Sequence, residues 1–135
     1  MARITAPMRR ERFSMSLLRY VLPVVMLAHG LAHLPGFVTA WRLRTLPDFP
    51  YHTLVLRGRW DVGDAGMRVL GVLWLAAALG FWVAALGVFT SDARWIPLAF
   101  ATVVLSAMLC VLEWPIARVG LWTNLVLLGL LLLAA

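Results

Sequence analysis

The sequence predicts an all-α membrane protein: four transmembrane helices in an up-down-up-down bundle. Four apolar segments, at about 17–41, 67–89, 95–112 and 116–135, make up most of the 135 residues. Each approaches or exceeds the ~20 residues a helix needs to cross ~30 Å of hydrocarbon. Lipid offers no partners for backbone N–H and C=O groups, so such segments close their hydrogen bonds as helices. The connections at Thr90–Arg94 and Glu113–Pro115 are short, which makes the helices they join antiparallel neighbours.

Composition agrees and excludes several classes. The chain is 63% hydrophobic and 13% charged, with a mean hydropathy of +0.90, outside the range of soluble globular domains. All 12 basic residues are Arg. Without Lys there is no amine for a retinal or pyridoxal Schiff base. The pI near 11.3 would point to nucleic acid in a soluble protein. No nucleic-acid-binding motif accompanies it, so nucleic acid is not an expected partner and the Arg side chains are assigned to anionic headgroups. Cys110, the single cysteine, lies inside the third apolar segment and reads as a small packing residue.

Taken in order, residues 1–16 form a basic tail expected at the cytoplasmic surface, ahead of a transmembrane domain at 17–135. The first apolar segment is too long for a signal-peptide core and reads as a retained helix. It contains Pro23, Gly30, Pro35 and Gly36, so a bend or break is expected near His33–Gly36. Residues 42–66 are the one long loop, mixed in charge and carrying Phe49, Tyr51 and Trp60, and are expected to lie back on the membrane surface. The second segment carries Ala76, Gly80, Ala84 and Gly87, small residues whose spacing suits close helix packing. Trp41, Trp95, Trp114 and Trp122 fall near segment ends, where indole rings anchor at the headgroup level. The Arg-rich N-terminus places both termini in the cytoplasm, against a contrary pull from Arg42, Arg44, Arg57 and Arg59.

Polar residues inside such segments are the candidate site. His29 and His33, at i and i+4, share a helix face. Ionisable groups in a membrane are costly, so they count as functional candidates. They could ligate haem or chlorophyll, relay protons, or serve structure through interhelical hydrogen bonds. Thr102, Ser106 and Cys110 form a stripe on the third helix, with Glu113 beyond it and Asn124 on the fourth. That stripe is expected to look into the bundle, toward the His residues. Glu113 is expected at the interface, solvated or paired with Arg118, with a contact to His33 as the alternative. A metal site would need more ligands than these.

The combination of His33-Leu-Pro-Gly36-Phe37, Gly71-Val-Leu-Trp74-Leu-Ala-Ala-Ala, Leu105-Ser106, Trp114-Pro-Ile-Ala-Arg118-Val-Gly120 and Asn124 resembles a bacterial family of small four-helix integral membrane proteins with no established activity. In some members the membrane region precedes a soluble domain. The resemblance spans roughly 28–134; His29 and the Arg-rich loop depart from the usual pattern. It implies a fold and no catalytic residues. By size and helix count alone the chain also resembles DoxX-like four-helix proteins.

The functional expectation is a non-enzymatic accessory or scaffold subunit of a larger complex in the bacterial inner membrane, with lipid and other membrane subunits as partners. Neither a nucleophile–base pair nor a phosphate loop is visible. The alternatives are a protein binding haem or chlorophyll through His29 or His33, serving electron transfer or photosynthesis, and a membrane protein handling a quinone or another small molecule.

Overall fold

The structure is a computed structural model that describes the backbone of residues 6–134 and the side chains of 19–133. It contains α1 (Ala6–Leu31), α2 (Leu34–Ala40), β1 (Leu54–Val55), β2 (Trp60–Asp61), α3 (Gly63–Thr90), α4 (Trp95–Leu112) and α5 (Arg118–Ala134). Among the described residues, three helical runs are long and apolar enough to cross a membrane: Arg19–Ala40, Gly63–Thr90 and Trp95–Leu112. The fourth, Arg118–Leu133, is apolar but shorter. The expected basic tail at 1–16 lies outside the residues whose side chains are described; from Ala6 its backbone belongs to α1.

The first span is two helices. Ala32 and His33 turn tightly between α1 and α2, with the His33 N–H donating to the Gly30 carbonyl at 3.1 Å. Pro35 explains the break, since it lacks the N–H that would continue the ladder to Leu31. The second span starts at Gly63 rather than 67, with Asp64 in its first turn where the helix dipole favours a carboxylate. It ends at Ser91, which is left-handed at φ 57°, while the Asp92 N–H caps the Gly87 carbonyl at 3.0 Å. The fourth helix starts at Arg118, because 114–117 form turns around Pro115.

The long loop corrects the all-α expectation. β1 and β2 pair antiparallel, Leu54 with Asp61 and Val55 with Trp60. Leu56, Arg57 and Gly58, at φ 52°, 59° and 78°, turn the hairpin through the left-handed region. That conformation is strained for Leu and Arg, and tertiary contacts hold it. The Leu56 N–H donates at 2.7 Å to the Leu112 carbonyl at the end of α4, and Val55 is buried. A carbonyl that α4 cannot satisfy itself thereby finds a partner.

Packing forms two apolar layers. One joins Leu22, Met26, Phe81, Ala84, Ala99, Val103, Leu127 and Leu131. The other joins Ala40, Val55, Met67, Leu70, Trp74, Ala77, Leu109 and Cys110. On α3 the small-residue stripe is offset at one end from expectation. Ala76 is exposed, whereas Ala77 and Ala84 are buried. Gly80 and Gly87 face α4, where added Cβ atoms would lie 2.5 Å from Thr102 Oγ1 and 2.5 Å from Trp95 Cβ. The stripe therefore serves contact within the chain.

The indoles divide. Trp122 and Trp41 are exposed, and Trp41 Nε1 donates to the Arg68 carbonyl at 3.2 Å. Trp95 packs partly buried against the first apolar layer, and Trp114 lies under the Arg57 guanidinium at 5.5 Å. Of the two central indoles, Trp74 is buried, and Trp82 donates to the Leu27 carbonyl at 3.2 Å.

Candidate functional site

Between the two apolar layers lies a polar cluster from three helices. His29 and His33 come from α1 and its break, Ser106 and Cys110 from α4, and Asn124 from α5; all are buried. Their hydrogen bonds form a chain whose directions follow from what each atom can do. A carbonyl only accepts, so His33 Nδ1–H donates to the His29 carbonyl at 2.7 Å. With one ring proton so placed, His33 Nε2 accepts from the Ser106 hydroxyl at 2.7 Å. Asn124 Nδ2 donates back to Ser106 Oγ at 2.8 Å, and lies 3.7 Å from Cys110 Sγ. His29 Nε2–H donates to Asn124 Oδ1 at 3.0 Å. The tautomers are thus assigned by the network.

Aromatic edges hold the imidazoles in place. The two rings stand at 87° with centroids 4.7 Å apart. Phe81 lies 4.9 Å from His29, and Trp74 lies 5.1 Å from His33. Thr102 stands apart from the cluster; its hydroxyl donates to the Leu98 carbonyl on its own helix at 2.8 Å.

Beside the cluster, toward the loop, is a cavity of about 210 Å³. His29, His33, Cys110 and Gly120 line it together with Phe49, His52 and Glu113, with Met67 and Trp74 among the apolar walls. Gly120 keeps it open: an added Cβ would lie 2.9 Å from Cys110 Sγ and 3.8 Å from the His29 ring. The loop is held over the cavity by several ties. Thr39 Oγ1 donates to the Phe49 carbonyl at 3.2 Å, and Arg42 pairs with Asp64 at 2.6 Å while stacking on Tyr51.

Glu113 departs from expectation. Among the described residues its carboxylate forms no hydrogen bond or salt bridge with Arg118 or His33. Its Oε2 lies 3.2 Å from His52 Nε2, and its side chain is only 10% exposed. Its other oxygen, Oε1, and His52 Nδ1 are buried with no hydrogen-bond partner among the described residues. Burial pushes the Glu113 carboxyl above the usual carboxylate range, and the His52 ring pulls it part of the way back. His52 sits in the long loop between Tyr51 and Thr53. Its only sequence signal is an ionisable imidazole, with no motif around it.

The donor set fits a metal poorly. No group of three or more His, Cys, Asp or Glu residues converges among the described residues. Both His33 ring nitrogens are engaged, and His29 Nδ1 is the one nitrogen of the two rings without a protein hydrogen bond among the described residues. No protein-family model, curated protein or solved structure matches the chain.

Proposed function

We propose that this chain is a multi-pass protein of the bacterial inner membrane that binds a small, mainly apolar ring molecule of the quinone class in the cavity under its loop. In this reading the bundle crosses four times, up-down-up-down, with both termini cytoplasmic. The two apolar layers support the alternation. From the first layer to the second, residue numbers rise along α1–α2 and α4 and fall along α3. The observation that carries the ligand reading is the largely apolar cavity of about 210 Å³ between the polar cluster and the loop, walled by Met67 and Trp74 with His29, His33, His52 and Glu113 in its lining. Buried polar atoms are nearly always paired, so the unpartnered Glu113 Oε1 and His52 Nδ1, on side chains that line this cavity, make its loop end the polar one. The volume, about 210 Å³, is below the ~300–1,000 Å³ typical for drug-sized ligands and suits one ring rather than a macrocycle. The role is binding, without chemistry by the chain itself.

The test is titration of purified protein in detergent with a short-chain alkylquinone, read by quenching of Trp fluorescence. Saturable quenching that Gly120→Val weakens supports the reading; no saturable binding overturns it.

The accessory-subunit reading retains one supporting observation. Val119, Trp122, Val126, Gly129 and Leu133 form an exposed stripe along α5, with open space beside Gly129. Stoichiometric co-purification of a membrane partner, lost with Gly129→Phe, would favour it.

A further inference from the structure

The cavity wall holds one side-chain nitrogen that is unpartnered and still reachable. Glu113 Oε1 and His52 Nδ1 have almost no accessible surface, so no ligand atom reaches them. Among the described residues they are the only buried, unpartnered side-chain nitrogen or oxygen atoms so closed. His29 Nδ1 has no hydrogen-bond partner among the described residues either, and it is not closed. His29 is 5% exposed overall and lines the cavity. Its Cε1, the ring atom next to Nδ1, faces Gly120, where an added Cβ would lie 3.8 Å away. Other polar side chains of the wall are engaged within the chain. The Thr39 and Thr123 hydroxyls donate to the Phe49 and Val119 carbonyls, and both His33 nitrogens are bonded.

We infer that His29 Nδ1 is the hydrogen-bond acceptor for the cavity's occupant, so the site selects a head group that donates a proton to it. The inference rests on the ligand-binding reading above and adds the contact atom and the chemistry it selects. The proton positions are set from the far end of the polar cluster. The His29 carbonyl only accepts, so neutral His33 holds its one proton on Nδ1. His33 Nε2 is then an acceptor and takes the Ser106 proton. Ser106 Oγ, with its own proton engaged, needs a donor, which turns Asn124 so that Nδ2 points to it. Asn124 Oδ1 is left facing His29 Nε2, so the His29 proton sits there. Nδ1 is left bare. A second proton on this ring would place a cation inside the bundle, which is costly.

A hydroxyl on an apolar ring donates to the bare Nδ1. An ether or carbonyl oxygen brings a second acceptor against it and leaves it unpaired, at a cost of about tenfold in affinity. Trp74 and Met67 provide apolar walls for the ring. Asn124 lies behind His29 and is not part of the cavity wall. It is a positioning residue: it sets which His29 nitrogen is bare without touching the occupant.

The experiment measures binding of a 4-alkylphenol and of its methyl ether to the full chain in detergent, read by Trp fluorescence. Wild type is expected to bind the phenol about tenfold tighter than the ether. His29→Phe keeps an aromatic ring and removes the acceptor, and is expected to bring the two probes to parity by weakening the phenol alone. Asn124→Leu frees the His29 proton to sit on either nitrogen, and is expected to narrow the preference by improving ether binding, with no wall residue changed. Each variant decides by itself should the other fail to fold. Equal affinity of both probes for wild type overturns the role of His29 Nδ1 while leaving the cavity as a binding site. A preference unchanged in His29→Phe overturns it by placing the hydroxyl elsewhere, and one unchanged in Asn124→Leu overturns the proton placement on which it stands. Failure of both probes and of the alkylquinone to bind overturns the ligand reading itself.

Discussion

The Ser106 hydroxyl donates to His33 Nε2 at 2.7 Å and accepts from Asn124 Nδ2 at 2.8 Å, joining the α1–α2 break, α4 and α5 through one oxygen. Ser106→Ala strands two buried groups at once. Interhelical polar contacts in membranes are worth ~0.6–2 kcal/mol, and a doubly used atom belongs at the upper end. Thermal unfolding in detergent is expected to shift down by that amount. The same loss should appear in Asn124→Leu and should not add to it, because the two changes break one network.

His29→Gln and His33→Gln separate structural from ligating roles. Gln keeps hydrogen-bonding capacity but offers no imidazole nitrogen to haem or chlorophyll. With the His33 nitrogens engaged by Ser106 and the His29 carbonyl, each variant is expected to cost ~0.6–2 kcal/mol of stability. The purified wild type is expected to show no pigment or haem absorbance. Bands present in wild type and lost in His29→Gln would instead identify His29 Nδ1 as an axial ligand.

The packing face of α3 gives a paired test. A Cβ at Gly80 would lie 2.5 Å from Thr102 Oγ1, so Gly80→Leu forces α3 and α4 apart. The cost is about 1–3 kcal/mol, as for other overpacked cores. Ala76→Leu adds the same bulk on an exposed position and should be near neutral. Equal losses from both changes would show that the packing face has been wrongly assigned.

This pair also shows which features were legible in the sequence. The apolar spans were, because lipid enforces helices wherever hydropathy is sustained. The break beside Pro35 was too, since proline's missing N–H acts locally. The face of α3 was legible only in part, because Ala76, Ala77, Ala78, Gly80, Ala84, Ala85 and Gly87 spread small residues over more than half of the helix surface and leave the edge of the packing stripe undefined. The hairpin was hidden for a different reason. Its strands are two residues each, and two of its left-handed positions are Leu56 and Arg57, with only Gly58 as a turn signal. The meeting of His52 with Glu113 depends on that hairpin and so could not be read from spacing. The His cluster was half legible: the shared face follows from i, i+4 spacing, the partners only from helix packing.

Ser91 offers a gain in stability. It closes α3 at φ 57°, a conformation that costs a residue with a Cβ about 1–2 kcal/mol. Ser91→Gly removes that cost, offset in part by the greater freedom of glycine in the unfolded chain. A rise in stability of up to about 1 kcal/mol is expected, without change in ligand binding. A fall would mean that the Ser91 side chain contributes more than its backbone strain costs.

The last prediction concerns pH. Burial raises the Glu113 carboxyl above its ordinary value of 4.5, against the opposing pull of His52. In the folded protein the group therefore holds its proton at pH values where the unfolded chain has released it. Where the folded state binds more protons, stability falls as pH rises. The penalty is absent below 4.5 and grows until the pH has passed the folded value, above which it is constant. Thermal stability in detergent should decline across that window in wild type. Glu113→Gln, which cannot ionise, should flatten this part of the curve. His52→Leu should steepen it, because it removes the neighbour that favours the carboxylate. Parallel pH curves for wild type and Glu113→Gln would mean that Glu113 is solvated in both states, and the buried pair with its unpartnered oxygen would not exist.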